Sequence, residues 1–208
     1  MDAELKLAFE KFGKATNAMR YAHGGHLLAC SNATTIEVID PVRLTLLHTL
    51  YGHKGIVRHL CWTPGNLFLV SSGNCGGVYF WRGDFKRYGY EQGKEEVEPH
   101  AVAQDKAIYY AQVAYDAEFD ALIGLTSHEH LRVLVGNAHS LVFEQSLRDM
   151  KPTCFAFSKE LGCLVVASSL GFLVVFNWPL APVAELNGCY QIHLEGSVTS
   201  LCFTSCDK

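Results

Sequence analysis

The residues best suited to chemistry are few, and each lacks the company that a reaction needs. His128-Glu129-His130 is the most ligand-like cluster in the chain. Two imidazoles at i and i+2 converge only if the segment is a strand, and this one falls between two apolar runs. The expectation is a solvated turn, and no metal site. His23 and His26 flank Gly24-Gly25 and read as a second exposed turn. Cys202 and Cys206 form a close pair with no matching pair, and no C-x-x-C occurs, which argues against zinc. Gly73-Asn74-Cys75-Gly76-Gly77 has the glycine content of a phosphate loop. It lacks the Lys-Ser/Thr that must follow and leads into a strand pattern, so a P-loop is excluded. Ser71, Ser72, Ser168 and Ser169 end apolar runs without the context of a nucleophile elbow. Nucleophile, base and orienter are nowhere visible together. No catalytic residue and no cofactor is expected.

Composition narrows the remaining classes. Hydrophobic residues make up 49% and charged residues 18% of 208 positions, which argues for one packed domain and against disorder. Seventeen basic against twenty-one acidic residues give a formal charge of −4, and Lys and Arg cluster nowhere. The electrostatic footprint of a duplex binder is missing, so no nucleic-acid partner is expected. No apolar run reaches the roughly 18–20 residues of a membrane span. Met1-Asp2-Ala3-Glu4-Leu5-Lys6 carries acids where a signal peptide carries bases. These features set the expectation of a soluble, intracellular protein without a membrane partner. Cys30, Cys61, Cys154, Cys163 and Cys202 fall in or beside apolar strand patterns, which reads as reduced, buried thiols.

The elements that must position these residues are short strands. Gly52 to Trp81 holds three of them, Ile56 to Trp62, Leu67 to Ser72 and Val78 to Trp81. Thr63-Pro64-Gly65-Asn66 and Gly73 to Gly77 separate them, with Pro presetting φ and Gly supplying positive φ. Comparable units run over about 16–50, 52–106, 107–145 and 146–192, and a partial one over 197–208. Residues 1–15 form an extension outside the repeat, readable as helix or strand. Residues 82–106 form a charged insertion that carries Phe85, Tyr88 and Tyr90, aromatics of the type enriched at protein interfaces. In the fourth unit, Val183 to Leu186 reads as the last strand.

Gly52-His53, Pro64-Gly65 and Trp81 at this spacing resemble the WD-repeat family, whose four-stranded units are blades of a β-propeller. In that family an Asp in the turn before the third strand bonds the His of the Gly-His pair. Cys75 stands there, and a thiol is a poor acceptor, which leaves Ser71 or Ser72 to partner His53. The runs from Ala18 to Ala29 and from Gly52 to Arg58 resemble more closely the second WD-repeat region of the family of cilia- and flagella-associated protein fifty-seven. Cys61-Trp62-Thr63-Pro64 and Gly76 to Trp81 extend that resemblance. It implies a scaffold of the ciliary axoneme, bound to doublet microtubules and anchoring inner-arm dyneins. The partners it implies are axonemal or microtubule-associated proteins. Propellers close rings of typically four to eight blades. Four blades and one strand lead to the expectation of a ring completed by another chain or by a longer polypeptide.

Overall fold

The computed structural model describes residues 16–82, 87–88, 108–136, 140–180 and 190–203. They form four antiparallel sheets of four strands, each a meander in which strands adjacent in the chain pair with one another. The first holds β1 (Met19–Tyr21), β2 (Leu28–Asn32), β3 (Thr35–Asp40) and β4 (Thr45–Leu50). The second holds β5 (Val57–Trp62), β6 (Phe68–Gly73), β7 (Val78–Arg82) and β8 (Arg87–Tyr88). In the third are β9 (Tyr110–Asp116), β10 (Ala121–Thr126), β11 (His130–Val135) and β12 (Ser140–Ser146). The fourth is β13 (Pro152–Ser158), β14 (Cys163–Ser168), β15 (Phe172–Asn177) and β16 (Tyr190–His193). This all-β architecture of four successive antiparallel sheets is consistent with the expected propeller blades.

One backbone device recurs in all four sheets. The hairpin between the second and third strands contains a residue with positive φ: Ala33 at 53°, Gly76 at 84°, Glu129 at 63° and Gly171 at 85°. The residue before or near it donates its N–H to the segment entering the first strand of the same sheet. These bonds are Ser31 to Ala18, Asn74 to Ile56, Ser127 to Tyr109 and Ser169 to Lys151, at 2.7–3.1 Å. A left-handed conformation costs a residue with a Cβ about 1–2 kcal/mol. Glycine at position 129 therefore raises stability by roughly 0.5–1 kcal/mol, after its greater freedom in the unfolded chain is subtracted. Urea unfolding of Glu129→Gly checks this, and a lower midpoint refutes it.

The period of two along each strand divides its side chains between two neighbours. In β6, Leu69 joins the core shared with the first sheet, while Val70 joins the core shared with the third. In β7, Tyr79 and Trp81 face the first sheet, and Val78 faces the third. In β10, Ala121, Ile123 and Leu125 pack toward the fourth sheet and Leu122 toward the second. Three apolar cores thus alternate with four sheets. The first strands come together at the inner edge, β1 and β2 against β5, β5 and β6 against β9, and β9 against β13. Among the described residues none of the three cores joins the first sheet to the fourth, and the sheets form an open arc.

Several expectations need correction. Arg82 closes β7, and Arg87–Tyr88 form β8, paired with Phe80 and Trp81, so the start of the expected insertion belongs to a sheet. A two-residue strand is too short to show alternation. The fourth sheet ends with β16 at Tyr190–His193, and Val183 to Leu186 lie outside the described residues. Residues 197–203 form no strand, since no ladder partner stands beside them among the described residues. They are held instead by Val198 N–H on the Ser168 carbonyl at 3.2 Å and by the Thr153 hydroxyl on the Val198 carbonyl at 2.6 Å. For the same reason Cys202 is exposed and not buried, while Cys30, Cys61, Cys154 and Cys163 are half-buried. None of these five thiols forms a disulfide.

Candidate functional site

The densest polar arrangement in the second sheet is built from His53, Ser71 and Trp81. Ser71 lies on the same face of β6 as Leu69, one residue out of phase with Ser72 and Val70, so it alone of the two serines looks toward the first sheet. Its hydroxyl accepts the Trp81 Nε1–H at 2.8 Å and pairs with His53 Nε2 at 2.8 Å. Tyr79 meets the imidazole edge-on, with centroids 4.4 Å apart. A Cβ on Gly73 would stand 2.6 Å from His53 Nδ1, so glycine is what lets the ring lie there. A serine bonded to a histidine has the outline of a nucleophile and its base. Here Ser71 is wholly buried and His53 is 7% exposed, so no substrate reaches the hydroxyl. The network holds the sheet together. Gly52 precedes the His, and Pro64 and Gly65 sit in the 3-10 turn Pro64–Asn66, with Gly65 at φ 68°.

Two other polar links tie neighbouring sheets. The Asn66 side chain accepts the His23 N–H at 2.8 Å and donates to the His23 carbonyl at 2.9 Å. Gln112 does the same to Phe155, accepting its N–H at 2.9 Å and donating to its carbonyl at 2.6 Å. Each amide imitates a strand's own pairing across a gap between sheets. A third link is buried: Trp178 Nε1–H donates to Asp116 Oδ2 at 2.7 Å, and Asp116 Oδ1 accepts the Glu118 N–H at 2.9 Å. Sequence reading passed over Asp116, Gln112 and Trp178, because their partners lie 43 or 62 residues away.

The inner edge carries His59. The Val113 N–H donates to its Nδ1 at 3.3 Å, and the Arg20 guanidinium lies 3.3 Å from its Nε2. Burial first, and the Arg20 charge second, push its pKa down from 6.5 to about 3. The fold therefore favours the neutral ring, while the unfolded chain takes a proton near 6.5. Stability is complete above that pH and is lost below it, by about 1.4 kcal/mol per unit until the folded ring itself titrates. Between pH 6.5 and 5 this amounts to roughly 2 kcal/mol. Urea midpoints of the native protein should fall over this interval, and those of His59→Gln should stay nearly level. Parallel curves would refute the assignment.

On the outer part of the third sheet, His130 opens β11 with its Nδ1 2.9 Å from Glu144 Oε1, and Arg132 Nε donates to the same oxygen at 2.7 Å. Those two hydrogen bonds hold the Glu144 carboxyl below its usual range. His128 and Glu129 occupy the turn, His128 being exposed, and His130 is engaged in a hydrogen bond within its own sheet. Among the described residues no group of three His, Cys, Asp or Glu side chains could hold a metal. His23 and His26 are exposed in the loop between β1 and β2. Phe85 and Tyr90 lie outside the described residues, and of Tyr88 only the backbone, in β8, is described.

Residues 44–82, from β4 to the end of β7, match the WD domain, G-beta repeat. Over 189 residues the chain is 27% identical to cilia- and flagella-associated protein 57 of Mus musculus, covering 90% of this chain and 14% of the mouse protein. Over 213 residues it is 23% identical to cilia- and flagella-associated protein 57 C of Tetrahymena thermophila, covering 94% of this chain and 16% of that protein. The chain therefore spans a small part of the length of either relative. One WD repeat is matched at residues 44–82, and along most of its length the chain resembles cilia- and flagella-associated protein 57.

Proposed function

We propose that the chain is a non-catalytic scaffold of cilia or flagella, which docks other proteins through the loops and rims of its blades. The observation that carries this reading is the extent of the likeness. It reaches 90% of the chain in the mouse relative and 94% in the Tetrahymena one, far beyond the single matched repeat at residues 44–82. The buried state of the Ser71–His53 pair supports a structural role for the most enzyme-like group. The finer reading is an axonemal position on doublet microtubules, with anchoring of inner-arm dyneins. Completion of the ring by another chain or by further blades of a longer polypeptide belongs to the same reading, supported by the open arc. Phe85, Tyr88 and Tyr90 are the proposed anchors for a partner, on the strength of their amphipathic rings.

A tagged copy expressed in ciliated cells tests the proposal. Axonemal signal that survives detergent extraction is the expected result. Uniform cytosolic signal, with ubiquitin-ligase or trafficking subunits in the pull-down, replaces this reading with that of a general adaptor. Unchanged partner capture by the triple alanine variant at 85, 88 and 90 removes those anchors.

A further inference from the structure

We propose that Arg20 and His59 form a seat for a carboxylate at the inner edge of the arc, the side chain of an acidic peptide being its occupant. Val113 N–H and the Arg20 guanidinium each aim at one ring nitrogen of His59 from 3.3 Å, and a neutral imidazole accepts at only one. With the backbone N–H taken as the donor that is accepted, at Nδ1, the imidazole proton is assigned to Nε2. The group facing Nε2, at 3.3 Å, is the Arg20 guanidinium, which only donates. Two donors thus face one another without an acceptor between them. A carboxylate oxygen set beside them accepts from both and turns a mismatch into two hydrogen bonds, one of them charge-assisted.

The surroundings agree. Arg20 gives one arm to the Met19 carbonyl at 2.8 Å, and none of the ion pairs among the described residues includes it. It is exposed on β1, whereas His59 is half-buried on β5, so the seat opens to solvent on one side only. One fixed positive charge and one neutral N–H suit a singly charged, planar anion, and guanidinium matches the carboxylate fork. A phosphate dianion calls for more cationic partners than the two elements supply.

The proposal rests on the reading of the chain as an interaction scaffold, but its test needs no cell. The full chain is titrated with a fluorescent triglutamate peptide, capped at both ends, and with its triglutamine counterpart. The glutamate peptide is expected to bind about tenfold tighter, a difference of about 1.4 kcal/mol. Arg20→Gln should abolish that preference, and Arg20→Lys should keep part of it, with circular dichroism showing both variants folded. The nitrogen shifts of the imidazole should report a proton on Nε2 that moves on adding the glutamate peptide. Equal affinity for the two peptides, or a preference unchanged in Arg20→Gln, overturns the seat. Inorganic phosphate displacing the peptide at lower concentration than acetate overturns the choice of carboxylate. Peptide preference in a protein that avoids the axoneme overturns only the ciliary reading, and the reverse result overturns only this one.

Discussion

Replacing Trp178 with Ala is expected to lower the unfolding free energy by about 3–5 kcal/mol, the range for deleting a large buried aromatic. The indole closes the core between the third and fourth sheets, meeting Phe157 edge-on at 5.1 Å and Phe119 at 6.4 Å. An apolar cleft of about 330 Å³, lined by Val133, Phe143 and Leu180 among others, already opens beside it. The vacated space joins that cleft and does not collapse, which places the loss toward the upper end. The substitution also strips Asp116, 2% exposed, of the N–H on its Oδ2. Trp178→Phe separates the two contributions: it retains most of the packing and forfeits the hydrogen bond, at a cost of about 1–3 kcal/mol. Equilibrium urea curves for the pair of variants settle the matter. A loss below about 1 kcal/mol in the alanine variant would deny Trp178 its place in the core.

Ser71→Ala comes next, at about 2–4 kcal/mol, because one hydroxyl serves two buried groups. Without it the Trp81 indole N–H and His53 Nε2 both lose this hydrogen bond in a place shielded from water. Ser72→Ala is the matched control. It removes the same atom from the opposite face of the same strand, without touching His53 or Trp81, and should cost far less. The Trp81 indole proton, read by NMR, should shift in the first variant and hold in the second. Equal losses in the two variants would mean that the network contributes nothing beyond ordinary burial.

The blades were legible because local residues dictate them. Gly73 to Gly77 and Thr63 to Asn66 are turns by composition, and the apolar runs between them are too short for helices. The period of two in β6 and β10 carries the packing as well, once each face is given its own neighbour. Sequence reading ended where a side chain depends on something distant. Ser71 and Ser72 stood open as partners of His53, and only the face of β6 decides between them. Asp116 looked like an ordinary turn residue, since the Trp178 that bonds it enters 62 positions later. Arg87–Tyr88 hid inside a run of charges because a strand of two residues has no pattern of its own. The Arg20–His59 contact was invisible for the same reason as Asp116, being set by how two first strands meet.

Asn66 and Gln112 each hold a neighbouring sheet with one nitrogen and one oxygen, and this makes the assembly vulnerable to ageing. Hydrolytic loss of ammonia from either amide leaves a carboxylate of almost the same outline. The accepting half of the grip survives. The donating half becomes an anionic oxygen pressed against the carbonyl of His23 or Phe155, where 2.9 and 2.6 Å separated attracting atoms before. Asn66 lies in an exposed loop contact and Gln112 in a partly covered one, so the first seam to spoil on storage is that between the first and second sheets.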